Sequence, residues 1–219
     1  MNSEKHKLVT TISECMKLQA SFNSVVNPDW IKAGYNWRRA MWVESAELVD
    51  MMGYKWWKNV NVSDWDRKQM LLEVVDIFHF LLSELMIERK TADEVYNTYI
   101  WATRHTYAAT KERKIAQVEE FIVNCLDKQT ILAPFFQVVV ALDLSLQDVL
   151  KYYLGKNCLN KFRQDNGYKT GSYIKQWSFN DSVVEDNKVL EFIIESSDIT
   201  SYDTIYNELN AIYNNMKGE

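Results

Sequence analysis

The chain has 219 residues, 47% hydrophobic and 13% aromatic, but only 6 Gly and 2 Pro; ordinary usage of about 12% for these two types would supply roughly three times as many. Strand-rich folds need turn residues at short intervals. This composition therefore excludes β-sandwiches, barrels and collagenous or disordered chains, and it predicts one all-α domain over residues 1–219 with ample core. A net charge of −5 argues against general nucleic-acid binding, which neutralisation of phosphates drives, though a local basic patch could still hold a small phosphorylated ligand.

The longest uncharged run, Gln129 to Leu142, has 14 residues, short of the roughly 20 that a bilayer span takes. Met1 to Lys7 is polar and lacks the apolar core of a secretory signal. Cys15, Cys125 and Cys158 are widely spaced, with no CxxC pair, which suits reduced thiols in a cytoplasmic protein and not a structural zinc site.

Helical periodicity runs through the chain. Leu8, Ile12, Cys15, Gln19, Phe22 and Val26 form one face of a first helix that stops before Pro28. Trp37, Met41, Glu44, Leu48 and Met51 mark a second helix, closed by Gly53. A third, about Asp64 to Arg89, is apolar nearly all round from Leu71 to Leu85, the mark of a central helix. Thr91 and Glu94 form a capping box that opens a fourth. Ile115, Val118, Ile122 and Cys125 outline a fifth, and Ile131 to Leu142 a buried sixth. Ser145 caps a seventh that stops at Asn166-Gly167. Gly167 to Phe179 reads as a functional loop with two glycines, Tyr168, Tyr173, Trp177, Lys169 and Lys175, and two amphipathic helices follow around Val183 to Ser196 and Tyr202 to Met216.

Two acidic pairs stand out. Glu44 and Glu47 are three residues apart, as are Glu73 and Asp76, so each pair shares a helix face with β-carbons about 5–6 Å apart. Glu44 interrupts an apolar stripe, and Glu73 and Asp76 lie in the most hydrophobic segment. Unpaired burial there would cost several kcal/mol. If the two helices face each other, the four carboxylates demand a cation, and all-oxygen ligands with no thiol favour Mg2+ or Mn2+. One ExxE pair would suit a solvated face equally well; two such pairs in apolar helices favour a metal site.

Lys156, Asn160 and Arg163 line one side of the seventh helix, followed by Lys169 and Lys175. Such a strip can be a solvated basic face; next to metal-binding carboxylates it suits polyphosphate hydrolysis or transfer. Gln19 and Asn23 are amides in or near an apolar stripe. They can read a nucleobase edge, with Trp56 or Trp57 stacked on its face, or equally cap a neighbouring helix. His79, three residues after Asp76, resembles half of a di-iron motif, but no His follows Glu44 or Glu47, so a di-iron site is disfavoured. No GxSxG, P-loop or GxGxxG occurs.

At these residues the chain resembles the dimeric, all-α dUTP pyrophosphatases of the Campylobacter and trypanosomatid type. The resembling segments are Leu18-Gln19 with Asn23, Trp37-Arg38-Arg39 leading into Glu44 to Asp50, Trp56 to Asn59, Glu73 to Phe80, Lys156 to Arg163, and Asn166 to Trp177. The carboxylate pairs fit the wider all-α nucleotide pyrophosphohydrolases, whereas the Asn-Gly-Tyr-Lys-x-Gly-Ser-Tyr run is more specific. The resemblance implies a multi-helix bundle with a central apolar helix, and a cytoplasmic homodimer (in the host cytoplasm for a phage-encoded member) that converts dUTP, and dUDP, to dUMP. It implies that Glu44, Glu47, Glu73 and Asp76 coordinate Mg2+, with Glu44 or Glu47 orienting or deprotonating the attacking water. Gln19 and Asn23 would read uracil and Trp57 would stack on it. Phe80 would pack on the deoxyribose, with His79 and Asn160 lining the sugar, while Lys156, Arg163, Tyr168 and Lys175 would hold phosphates. Thr91 to Leu142 and the helices after Phe179 carry no matching motif. Two other readings are open: a pyrophosphohydrolase for another nucleotide, and a non-catalytic binding or regulatory protein on the same fold.

Overall fold

Apolar all-round patterning puts one helix at the centre of the first part of this chain. In the computed structural model, which describes residues 2–58, 64–108, 110–196 and 201–217, that helix is α3, Asp64–Ile87. Leu71, Leu72, Val74, Val75, Ile77, Phe78, Leu81, Leu82 and Leu85 are all buried along it. Around it come α1 (Asn2–Val26), α2 (Trp37–Met51), α4 (Ala92–His105), α5 (Lys111–Leu126) and α6 (Leu132–Ala141). α2 packs on α3 and α5, α1 on α3 and α4, and α6 on α4 and α5. Phe78 of α3 stacks on Phe135 of α6, with ring centroids 5.5 Å apart and 12° between planes.

Local sequence sets where these helices begin. Asn36 caps α2 by accepting from the Arg39 amide at 2.9 Å. The Thr91–Glu94 capping box opens α4 as expected, and Thr110 caps α5. Of these six helices only α2 ends on a glycine, Gly53 at φ 66°. α3, α5 and α6 end instead on Arg89, Lys128 and Asp143, each left-handed at φ 55–59°. Each is followed by an amide that bonds back five residues, as in Lys90 N–H to the Leu85 carbonyl at 2.8 Å, the closure of a Schellman motif. Val26, expected on the buried stripe of α1, is exposed, because it is the last residue before the chain turns at Asn27.

The chain divides into two compact units, residues 1–153 and 154–219, with the boundary inside α7 (Leu146–Asp165). The second unit holds the rest of α7, a single 3-10 turn at Tyr168–Thr170, strands β1 (Gln176–Phe179) and β2 (Ser182–Glu185), α8 (Asp186–Ser196) and α9 (Tyr202–Lys217). Its core gathers Phe162, Trp177, Val189, Leu190, Ile193, Leu209 and Tyr213. Gly155 lets α7 approach α8 closely, since a β-carbon there would collide with Ile194.

The hairpin corrects the expectation of a loop to Phe179 and a helix from about Val183. β1 and β2 pair antiparallel, Gln176 opposite Glu185 and Phe179 opposite Ser182. Asn180 and Asp181 both take positive φ, 49° and 58°, which matches the right-handed twist of a two-residue hairpin. α8 therefore starts only at Asp186. Among the described residues no single helix is long and apolar enough to cross a membrane.

Candidate active site

The packing of α2 against α3 brings three of the four predicted acids together. Glu44 and Glu47 leave α2 from one face and Glu73 leaves α3, and their carboxylate oxygens lie within 4.8 Å of one another. Glu44 and Glu73 are half-buried and Glu47 is exposed. Asp76, one turn beyond Glu73, lies outside this trio, with a carboxylate oxygen 3.9 Å from His79 Nδ1. Three carboxylates this close repel one another, so the donor set fits a hard divalent cation. The thiols contribute nothing: Cys15, Cys125 and Cys158 are free and buried, and burial pushes Cys125 and Cys158 up to about 12, which keeps them protonated at neutral pH.

Next along α3, a buried polar network ties α1, α3 and the start of α7 together. Gln19 donates to Asn23 Oδ1 at 2.9 Å, Asn23 donates to Ser83 Oγ at 2.9 Å, and Ser83 donates to the His79 carbonyl at 3.0 Å. The Tyr153 hydroxyl sits 3.0 Å from both Gln19 Oε1 and the Cys15 carbonyl. His79 stacks on the Tyr153 ring at 4.3 Å and holds Nδ1 2.8 Å from the Val75 carbonyl, so this nitrogen carries the proton. Each amide has only part of its capacity spent in these bonds: an amide offers two donor hydrogens and two acceptor lone pairs. Phe80 lies 6.3 Å from Trp37, tilted. Trp56 is 89% exposed and Trp57 59%, the latter edge-on to Tyr54 and Trp56, so aromatic surface stands open to solvent. Asn59 lies outside the described residues.

Sequence reasoning missed Ser83 and Tyr153. Ser83 left one signal, a lone hydroxyl in the apolar helix one turn after His79. Tyr153 left none, because Cys15 and Gln19, which its hydroxyl meets, are more than 130 residues away. Arg38, quoted in the resemblance, has structural work instead: it pairs with Glu84 at 2.5 Å and donates to the Gln129 carbonyl at 2.6 Å.

In the second unit, the predicted basic strip is not a solvated face. Lys156 is 4% exposed and Arg163 8%. Arg163 clasps Asp186, which is fully buried, through Nε and Nη2 at 2.8 Å each, and it also donates to Asn160 and Asn187. Lys156 donates to Asn187 at 3.1 Å. The Tyr173 hydroxyl donates to Asp186 at 2.8 Å; burial, then the Asp186 charge, pushes its pKa up. Tyr168 and Lys175 are exposed, on a loop shaped by Gly167 and Gly171 at φ 90° and 75°.

The fold is helical apart from one hairpin, three carboxylates converge between α2 and α3, and a buried amide network joins α1 to α3. Residues 11–168, well over half of the chain, match the family model described as dUTPase. The chain belongs to that family and is a dUTP diphosphatase of the all-α type. No curated protein matches it in sequence.

Proposed function

We propose that this dUTPase is a Mg2+-dependent enzyme, with Mn2+ as a substitute, acting on dUTP and dUDP as a cytoplasmic homodimer. The observation that carries the metal dependence is the convergence of Glu44, Glu47 and Glu73 oxygens within 4.8 Å. These residues, with Asp76 one turn on, would hold the ion, which supplies neutralisation of the phosphate chain and a more acidic bound water. Glu47, the exposed member, or Glu44 beside it, orients the attacking water and takes its proton at a carboxylate oxygen. Gln19 and Asn23 use their remaining donor and acceptor positions on the uracil edge. Phe80 packs against the deoxyribose and disfavours a 2′-hydroxyl, and His79 and Asn160 line the sugar. Lys156, Arg163, Tyr168 and Lys175 are the second unit's phosphate-binding candidates, supported by the likeness of their segment to the family.

The test is hydrolysis of dUTP, dUDP, dTTP, dCTP and UTP, resolved by chromatography, with Mg2+ and then with excess EDTA. Expected are dUMP from dUTP and dUDP, intact UTP and dTTP, and no turnover until Mg2+ is restored. Preference for another base would overturn the roles of Gln19 and Asn23. Full activity in EDTA would remove the metal. No cleavage of any nucleotide would make this a binding protein on a hydrolase fold.

Trp57→Ala is expected to raise KM for dUTP about tenfold, within the 1–3 kcal/mol that stacking on one base contributes. kcat and thermal stability should barely change, because the indole is mostly exposed. An unchanged KM would remove Trp57 from base binding.

A further inference from the structure

We infer that Asn187, the second residue of α8, is a positioning residue for the substrate: its amide oxygen aims the Lys156 ammonium and the Arg163 guanidinium at the phosphate chain. This rests on Lys156 and Arg163 holding phosphates. Asn187 lies beyond residues 11–168, which the dUTPase family model matches, and outside every segment that resembles the family, so neither gives it a part.

Local structure brings Asn187 to that place. The Asn180-Asp181 turn returns the chain antiparallel to β1, with Glu185 opposite Gln176. One step on, the Asp186 amide donates to the Lys175 carbonyl at 3.0 Å, and the Asp186 carboxylate takes the Nε and Nη2 edge of Arg163 at 2.8 Å each. Asn187 comes next, half-buried. Its Oδ1 accepts from Lys156 Nζ at 3.1 Å and from Arg163 Nη2 at 3.3 Å. Ammonium and guanidinium groups only donate, so the amide must turn its oxygen to both. The other end of the guanidinium, Nη1, donates at 3.1 Å to Asn160, the residue assigned to the sugar. The first two residues of α8 therefore touch Lys156, Arg163 and Lys175, three of the four phosphate-binding candidates.

A neutral amide suits this task better than a charged or an apolar side chain. Lys156 and Arg163 leave α7 seven residues apart, each on a long stem whose rotamer freedom is lost on binding. One fixed acceptor for both orders them before the substrate arrives, which lowers the cost of binding it. Two cations on one oxygen repel each other, and anionic phosphate oxygens relieve that repulsion through charge-assisted hydrogen bonds. An aspartate at 187 would hold the same two cations more tightly and cancel part of the charge that draws phosphate. An alanine would keep the charge and lose the aim.

The experiment compares wild type, Asn187→Ala, Asn187→Asp, Lys156→Ala and Lys156→Ala/Asn187→Ala by dUTP kinetics, thermal melting and inhibition by deoxyuridine, which has the base and sugar but no phosphate. Asn187→Ala should raise KM about tenfold, the effect of losing a hydrogen bond to a charged group, with kcat little changed, as for binding that is equal in ground and transition states. Asn187→Asp should raise KM as well while melting at or above wild type, a combination that a merely structural tether does not give. Deoxyuridine inhibition should stay near wild type in both. In the Lys156→Ala background, Asn187→Ala should cost less than it does alone, because one of its two cations is gone. A raised KM in Lys156→Ala with a wild-type KM in Asn187→Ala overturns the inference alone. A wild-type KM in Asn187→Asp, fully additive effects in the double variant, or an equal loss of deoxyuridine inhibition in Asn187→Ala also overturns it. An unchanged KM in Lys156→Ala removes the phosphate role of Lys156 first and this inference with it. If wild type cleaves no nucleotide, the dUTPase reading fails separately; calorimetric titration of dUTP with Mg2+ then scores the same variants, and equal affinity in wild type and Asn187→Ala overturns the positioning role.

Discussion

Glu47→Gln is expected to lower kcat for dUTP by about a thousandfold, within the range removal of a positioned acid–base group produces, while leaving the fold intact. Glu47 is exposed on α2, so the substitution removes no packing, and surface changes of this kind usually stay within about 0.5 kcal/mol. The metal-free protein should if anything gain stability. Glu47 sits within 4.8 Å of Glu44 and Glu73, and like charges at such a distance repel by about 1 kcal/mol in water. Two melting curves therefore check the role together with the rate. Wild type should be raised by Mg2+, because a ligand bound only by the folded state stabilises it, and the variant should show a smaller rise or none. Near-normal kcat would take Glu47 out of the mechanism; lost activity with a wild-type Mg2+ response would make it a base and not a metal ligand.

The second large effect is structural. Asp186→Ala should destabilise the protein by about 3–5 kcal/mol, the cost of removing one partner from a buried ion pair. Asp186 is fully buried and accepts from Arg163 Nε and Nη2 and from the Tyr173 hydroxyl. Its loss strands a guanidinium that is 8% exposed and removes the acceptor of Tyr173 at the same time. Urea denaturation checks this, read on a probe in the second unit, such as the fluorescence of the buried Trp177. Arg163→Met/Asp186→Leu should recover most of the stability, because an apolar pair of similar volume avoids burying an unpaired charge. Stability unchanged in Asp186→Ala would mean that water reaches Arg163. Recovered stability without recovered dUTP turnover in the double variant would assign Arg163 a part in substrate binding as well.

Several elements were open to local reading. The Thr91–Glu94 box and Ser145 start their helices because a cap needs only a side chain and an amide three residues on, and the Ser145 hydroxyl indeed accepts from the Asp148 amide at 3.1 Å. α3 is central because its apolar residues leave no polar face to turn outward. The hairpin was missed although Asn180-Asp181 between two short apolar runs is a turn signal; the aromatic and lysine content of the preceding segment suggested a loop. Gln19 and Asn23 show where periodicity stops helping. Their positions in the stripe predict burial, but Ser83 and Tyr153, which receive or meet their hydrogen bonds, come from 60 and 134 residues away. The basic strip shows the same limit: spacing places Lys156 and Arg163 on one side of a helix, and nothing in the spacing reveals that Asp186, 23 residues later, claims the guanidinium.

The sequence by itself determined what depends on neighbours within a turn or two: an all-α chain, helix starts, the buried central helix, and the two acidic pairs as a family signature. Only the tertiary structure decided which carboxylates converge, which amides are spent on each other, and which cations are buried in ion pairs. Periodicity fixes the face from which a side chain leaves its helix, whereas its partners are set by how separate helices dock, and docking is written in contacts between residues far apart in the chain.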